Sequence, residues 1–225
     1  MEWTRLLRRG SPHAKIATMS TLSRYDEVIS LPRAVRFPVE MIAPEGFDPG
    51  RLETWPQVVG RLEHVDGRLL FMPPCGDFQQ DTATDVVITL GAWVRKHRDF
   101  VLGTNEAGMR LGGATRAADA AIWRRSDLGA YSGGLRRVPP LLAVEIAGPD
   151  DGDSENALRE KAKWYLSVGV LIVWILLPSR REALVIKVDG EKRYQGNETI
   201  EVEKALPGLS PRTSELFVQV RSRSK

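Results

Sequence analysis

The run Leu141-Leu142-Ala143-Val144-Glu145-Ile146-Ala147 constrains the fold of this chain more than any other stretch. Apolar residues on both alternating faces describe a strand covered on each side, which calls for a sheet with a layer packed against both faces. Glu145 sits within that run, and a carboxylate stripped of water there costs several kcal/mol unless a cation or hydrogen bonds meet it. A second acid, Asp119, interrupts a short apolar segment upstream, and a downstream helix carries Lys161 in the stripe Leu158, Lys161, Ala162 and Tyr165. Two strand carboxylates followed by an inward lysine are most economically explained as a divalent-metal site with a nearby ammonium. Plainer readings stand beside it: Glu145 paired with an arginine such as Arg110, Asp119 as a strand-initial turn former, and Lys161 snorkelling past the rim.

With 225 residues, 42% apolar and 27% charged, the chain has material for one sizeable core. The expected organisation is a flexible basic extension over 1–20, a single domain over 21–217 and a basic tail over 218–225. One cysteine, Cys75, excludes an internal disulfide, and His13, His64 and His97 show no zinc-ligand spacing, so a reducing, cytoplasmic setting fits. Arg5, Arg8 and Arg9 are followed by no apolar segment of the secretory kind. The longest apolar run, Val168 to Leu177, has ten residues, about half a membrane span, and reads as a buried strand. A net charge of +3 permits a polyanionic partner without requiring one.

Along the chain, 22–56 reads as a short helix and then a mostly irregular, proline-rich cap. Asp66-Gly67 between apolar stretches signals a hairpin from about Leu62 to Phe71. Asp77 is the expected N-cap, with Gln80 three residues on, of a helix whose inward face carries Ala83, Val86, Val87, Leu90, Trp93 and Val94. Extended segments are expected at Phe100–Thr104, Ala107–Leu111, Asp119–Trp123 and Leu141–Ala147. A second helix runs to about Ser167 and ends at Gly169, the strand Val170–Leu177 follows, then a hairpin turns at Asp189-Gly190. Leu206 to Phe217 should pack on the sheet edge. This order predicts an α/β fold with a central mixed sheet flanked by helices.

The ordered motifs resemble the bacterial Uma-type restriction endonucleases of the PD-(D/E)XK nuclease superfamily. Glu63-His-Val-Asp-Gly67 resembles that family's E-L-I-D-G hairpin, and Met72-Pro-Pro74 with Gln79 its helix entry. Ala118-Asp119-Ala-Ala-Ile122 and Val144-Glu145-Ile146 stand where the family has its two acids. Lys161-Ala-Lys-Trp-Tyr165, Gly169-Val170 and Val173-Trp174-Ile175 are similar to its closing motifs. The resemblance implies a restriction-endonuclease-like core in which Asp119 and Glu145 hold Mg²⁺ or Mn²⁺ with the Ile146 carbonyl as a third ligand. It also implies that Lys161 replaces the lysine usually found two residues after the glutamate, where this chain has Ala147. Glu63 would be a further acid in the same cleft, as second-metal ligand or water-positioning base, and Gln79 would line it. The chain departs from the family at Phe78 for histidine, Ala118 for proline, Gly148 for serine and Leu177 for aspartate.

The function this predicts is Mg²⁺-dependent hydrolysis of DNA phosphodiesters, with Asp119, Glu145, Lys161 and Glu63 as catalytic residues. Arg110 and Arg116, with Gln79, are the candidate nucleic-acid contacts, and Arg124, Arg125, Arg136 and Arg137 lie in the same basic loops. A homodimer fits cleavage of both strands. The alternative is a silent nuclease fold that binds nucleic acid or a protein partner. Glycoside hydrolysis by Glu63 and Glu145 leaves Lys161 unexplained and is the weakest reading.

Overall fold

The computed structural model describes residues 38–58, 60–72, 75–148 and 151–220, the last segment's first four residues by backbone alone. The expected extension over 1–20 and the helix expected after Leu22 lie outside these residues.

Nine strands form one mixed sheet in the order β1-β3-β2-β5-β6-β7-β8-β9, with β4 paired to β5 off that path. The strands are β1 Val39–Met41, β2 Arg61–Val65, β3 Arg68–Met72, β4 Phe100–Leu111, β5 Ala114–Arg124, β6 Leu142–Ile146, β7 Ile172–Leu177, β8 Glu182–Lys187 and β9 Gly190–Gln195. All pairs are antiparallel except β6 with β7, which the helix α2, Asp151–Ser167, connects. A parallel pair needs such a crossover, because no tight turn can return a strand in the same direction.

Alternation along β6 and β7 assigns their side chains to two cores. Leu142, Val144, Ile146, Ile172, Trp174 and Leu176 join Val86, Leu90 and Trp93 of α1, Asp77–Lys96. Ala143, Ala147, Val173, Ile175 and Leu177 join Ala162 and Tyr165 of α2 on the opposite face. Each large side chain fully buried in this way contributes about 1.5–3 kcal/mol. The α2 face is built from small residues, Ala118, Ala121, Ala143, Ala147 and Ala162. Small residues let a helix approach a sheet closely, and here that closeness brings Lys161 and Tyr165 to the strand carboxylates.

The hairpin between β2 and β3 turns at Asp66 (φ 50°) and Gly67 (φ 77°), the left-handed pair that Asp-Gly favours. Several elements differ from the sequence expectation. The proline-rich cap contains strand β1, which adds to β3. The helix α1 starts on Asp77 after Gly76, and the Asp77 carboxylate accepts from the Phe78 N–H, so Asp77 is not the N-cap. Val87 is exposed; Val86, Leu90 and Trp93 are buried in the inward stripe, and Ala83 and Val94 pack against it half-buried. The two segments expected at 100–104 and 107–111 are one strand, because a bulge at Asn105 and Glu106 carries the pairing with β5 across the break. The terminal segment packs against the edge strand β9, sharing a cluster with Tyr194, and reaches further: Leu206, Leu209, Leu216 and Phe217 enter the core with α1, and Gln219 donates twice to Asp85 of that helix.

Candidate active site

The site lies where one edge of β5 is shared by two strands that diverge. At its start β5 pairs with β2 through Thr115 and His64, and further on it pairs with β6 from Ala120 to Ile122. Between those pairings, residues 116–119 have no sheet partner on that edge among the described residues. Backbone polar groups opened in this way need other partners, and side chains supply them. Lys161 Nζ donates to the Ala117 carbonyl at 2.8 Å, and the Ala117 N–H points to Glu63 Oε1 at 3.5 Å.

Asp119 and Glu145 stand one step past the Ala120–Val144 pair, where the two strands part. Asp119 Oδ2 accepts the Ile146 N–H at 2.7 Å. Glu145 accepts the Tyr165 hydroxyl at 2.7 Å on one oxygen and meets Lys161 Nζ at 3.1 Å on the other. The same ammonium donates to Glu63 Oε1 at 2.8 Å. The ammonium thus donates to Glu63 and to the Ala117 carbonyl and forms an ion pair with Glu145. Gln79, at the start of α1, donates to the Ile146 carbonyl at 3.1 Å from the opposite layer. The sequence-derived set Glu63, Gln79, Asp119, Glu145, Ile146 and Lys161 is thus gathered at one place.

Electrostatics follow from this burial. Loss of solvation, reinforced by the neighbouring Glu145 charge, raises the Asp119 pKa from 3.8 to about 7. Burial likewise holds the Glu145 carboxyl above its usual range, although Lys161 and Arg61 pull the other way. Burial also works against ionisation of Glu63, but Lys161 outweighs it and keeps Glu63 below its ordinary value. Burial disfavours the Lys161 ammonium, and Glu145 with Glu63 overcomes that and holds it charged. Tyr165 stays a neutral donor because burial and the adjacent Glu145 push its pKa far up.

Two residues of this cleft escaped the sequence reading. Arg61 donates to Glu106 at 2.9 Å and lies 3.7 Å from Asp119 Oδ1. Burial opposes its charge, yet Glu106 and Glu145 hold its pKa above the ordinary value. Glu106 reaches it from the β4 bulge, where Asn105 and Glu106 adopt φ of 55° and 59°. Non-glycine residues in that region are held there at a cost, and such sites often serve function. Arg61 shares a β2 face with Glu63, which was the one available signal; nothing local marks Glu106.

Four carboxylates, Glu63, Glu106, Asp119 and Glu145, face one ammonium and one guanidinium, leaving two negative charges unmatched when all are ionised. Among the described residues no cluster of three or more His, Cys, Asp or Glu side chains is disposed to hold an ion. Asp119, Glu145 and the Ile146 carbonyl offer hard oxygens, the donor type that Mg²⁺ and Mn²⁺ take alongside water.

The other sequence-derived residues lie around the cleft. Arg116 stacks over the Trp164 ring at 4.7 Å, and Arg110 donates to Thr115 at 3.1 Å. Arg136 stacks on Trp123, and Arg137 bonds the Gly50 carbonyl. None of these four has a carboxylate partner among the described residues, unlike Arg159, Arg180 and Arg193, which converge on Glu155. Arg110 does not pair with Glu145, whose partners are Lys161 and Tyr165. Lys163, on the far side of α2, is exposed and pairs with Glu160.

The mixed sheet with a helix on each face has a counterpart among solved structures. The crystal structure of a "putative nuclease belonging to DUF820" from Anabaena variabilis ATCC 29413 superposes with a TM-score of 0.65 at 15% identity. The match covers 75% of this chain and 96% of that one. No curated protein matches the chain. The Uma2 family, described as "putative restriction endonuclease", matches residues 51–218, and the chain belongs to that family. That span takes in every strand except β1 and both helices that build the cleft. Among the described residues no helix is long and apolar enough to cross a membrane.

Proposed function

We propose that the protein is a divalent-metal-dependent nuclease that hydrolyses DNA phosphodiesters at the fork between β2, β5 and β6. The observation that carries this reading is the convergence of two buried acids where β5 and β6 part: Asp119 holds the Ile146 N–H, next in the chain to Glu145, and the Lys161 ammonium lies 3.1 Å from Glu145. A bound Mg²⁺ or Mn²⁺ supplies charge neutralisation at the phosphate and acidifies a water. Asp119, Glu145 and the Ile146 carbonyl hold the ion, and Gln79 fixes that carbonyl. Lys161 orients Glu145 and stabilises negative charge developing at the reacting phosphate. Glu63 keeps Lys161 charged and aimed, a positioning role in place of metal binding. Arg110 and Arg116, which have no carboxylate partner among the described residues, hold backbone phosphates beside the fork. Membership of the Uma2 family supports this reading, as does the nuclease description of the structural neighbour.

The test is cleavage of plasmid and oligonucleotide DNA by purified protein titrated with Mg²⁺ or Mn²⁺. Asp119→Ala should abolish the metal-dependent rate; wild type no faster than that variant would defeat the proposal.

A second reading, a silent nuclease fold that binds nucleic acid, is favoured by one feature: both Glu145 oxygens already have partners within the protein, Tyr165 on one and the Lys161 ammonium on the other. Calorimetry with Mn²⁺ separates the two, since a silent module takes up no ion.

A further inference from the structure

A pocket of about 400 Å³ opens beside the carboxylates, and of its lining residues the chemistry described so far uses only Arg116. Leu52, Trp55, Leu62 and Leu135 give it apolar and aromatic walls; Arg61 lines it already paired with the Glu106 carboxylate, which leaves Arg116 as the positive wall without a carboxylate partner among the described residues. It is continuous with the catalytic fork: Arg61 reaches Asp119, and Ala117, which also lines the pocket, accepts the Lys161 bond.

Three enclosed donors in these walls, Trp55 Nε1, Arg61 Nε and Arg116 Nε, have no acceptor. Buried unmatched donors are rare in folded proteins. An acceptor-rich ligand that draws these side chains around it would recover the missing bonds. The Arg116 guanidinium lies over the Trp164 ring and has no carboxylate ion-pair partner among the described residues.

We infer that this pocket receives one unpaired nucleotide of the DNA strand being cut, with the base against Trp55 and the leucines and its phosphate at Arg116. The volume is suited to a single small-molecule-sized group. A base held in a duplex stack cannot enter without leaving the helix, whereas a single strand presents its bases freely. The inference rests on the nuclease reading and adds the form of DNA preferred: single-stranded, flapped or bubbled over fully paired.

Fluorescence anisotropy of labelled oligonucleotides with the full chain in EDTA tests it without requiring turnover. One sequence is presented as a single strand and as a blunt duplex, at matched salt. The single strand should bind about tenfold more tightly, the scale of one base stacked on an aromatic ring. Trp55→Ala, and independently Leu135→Trp, which fills the pocket from the opposite wall, should erase that preference while leaving the weaker duplex binding in place. Equal binding of the two forms, or a preference that survives both variants, overturns the inference. Cleavage assays in Mn²⁺ keep the two proposals apart. Equal rates on paired and unpaired DNA sink the pocket assignment alone, whereas selective binding without any cleavage sinks the nuclease reading and leaves the pocket standing.

Discussion

Lys161 Nζ lies 3.1 Å from Glu145 Oε2, joining a helix lysine to a strand glutamate inside the sheet–helix interface. Neither charge would be tolerated there alone, and the second carboxylate, Glu63, at 2.8 Å completes a buried triad. Removing one partner of such a group leaves uncompensated charge. Lys161→Met is therefore expected to cost about 3–5 kcal/mol of stability, and adding Glu63→Gln should restore part of it. Urea denaturation of the single and double variants measures both; a loss below about 1 kcal/mol, the usual range for an exposed pair, would contradict the triad.

Asp119 links stability to pH. Its folded pKa of about 7 stands above its ordinary 3.8, so between those values the native state binds more protons than the unfolded one. Stability then falls as pH rises from about 4 to 7, by an amount on the order of a few kcal/mol for this group. A divalent cation competes with the proton, so Mn²⁺ should bind more tightly as pH rises through 7 and should cancel the loss. Melting temperatures across this range, with and without Mn²⁺ and in Asp119→Asn, provide the check: the variant should lose the slope.

Tyr165 holds Glu145 from the side opposite Lys161 through a 2.7 Å bond. Tyr165→Phe keeps the ring packing and removes the donor, so a loss of about 1–3 kcal/mol is expected. Glu145 should then ionise less readily and take up metal more weakly at fixed pH. Calorimetric Mn²⁺ affinity at pH 6 and pH 8 distinguishes this from a packing defect, which would weaken both equally.

The parts of the fold set by local pattern were legible in the sequence. Asp66-Gly67 marked its hairpin, the alternation around Glu145 separated two cores, and the stripe from Leu158 to Tyr165 turned Lys161 inward. Elements made by long-range pairing were not. Strand β1 exists because β3 offers it an edge, and no periodicity in three residues could announce it. The Arg61–Glu106 pair spans 45 positions and depends on a bulge in β4. The fork itself arises from two strands parting along β5, a property of the sheet that no single segment carries. The same parting explains why Glu63, read as a metal ligand or base, is occupied in holding Lys161.

Arg110, bonded to Thr115, and Arg116, stacked on Trp164, have no carboxylate partner among the described residues, so their charge is available to phosphate. Replacing both with glutamine should weaken DNA binding for every sequence alike. The slope of log K against log salt should fall by about 2. Anisotropy titrations from low to moderate salt read this directly, and an unchanged slope would return both arginines to the solvated surface.

The central claim is that Asp119 and Glu145 share a doubly charged ion. A crystal soaked in Mn²⁺, with diffraction recorded at the manganese absorption edge, tests it most directly. The account predicts an anomalous peak between the two carboxylates, within about 2.0–2.6 Å of an oxygen of each and of the Ile146 carbonyl, and its loss in Asp119→Ala. A fully soaked crystal with no peak there, and with Lys161 and Tyr165 still holding Glu145, would contradict it.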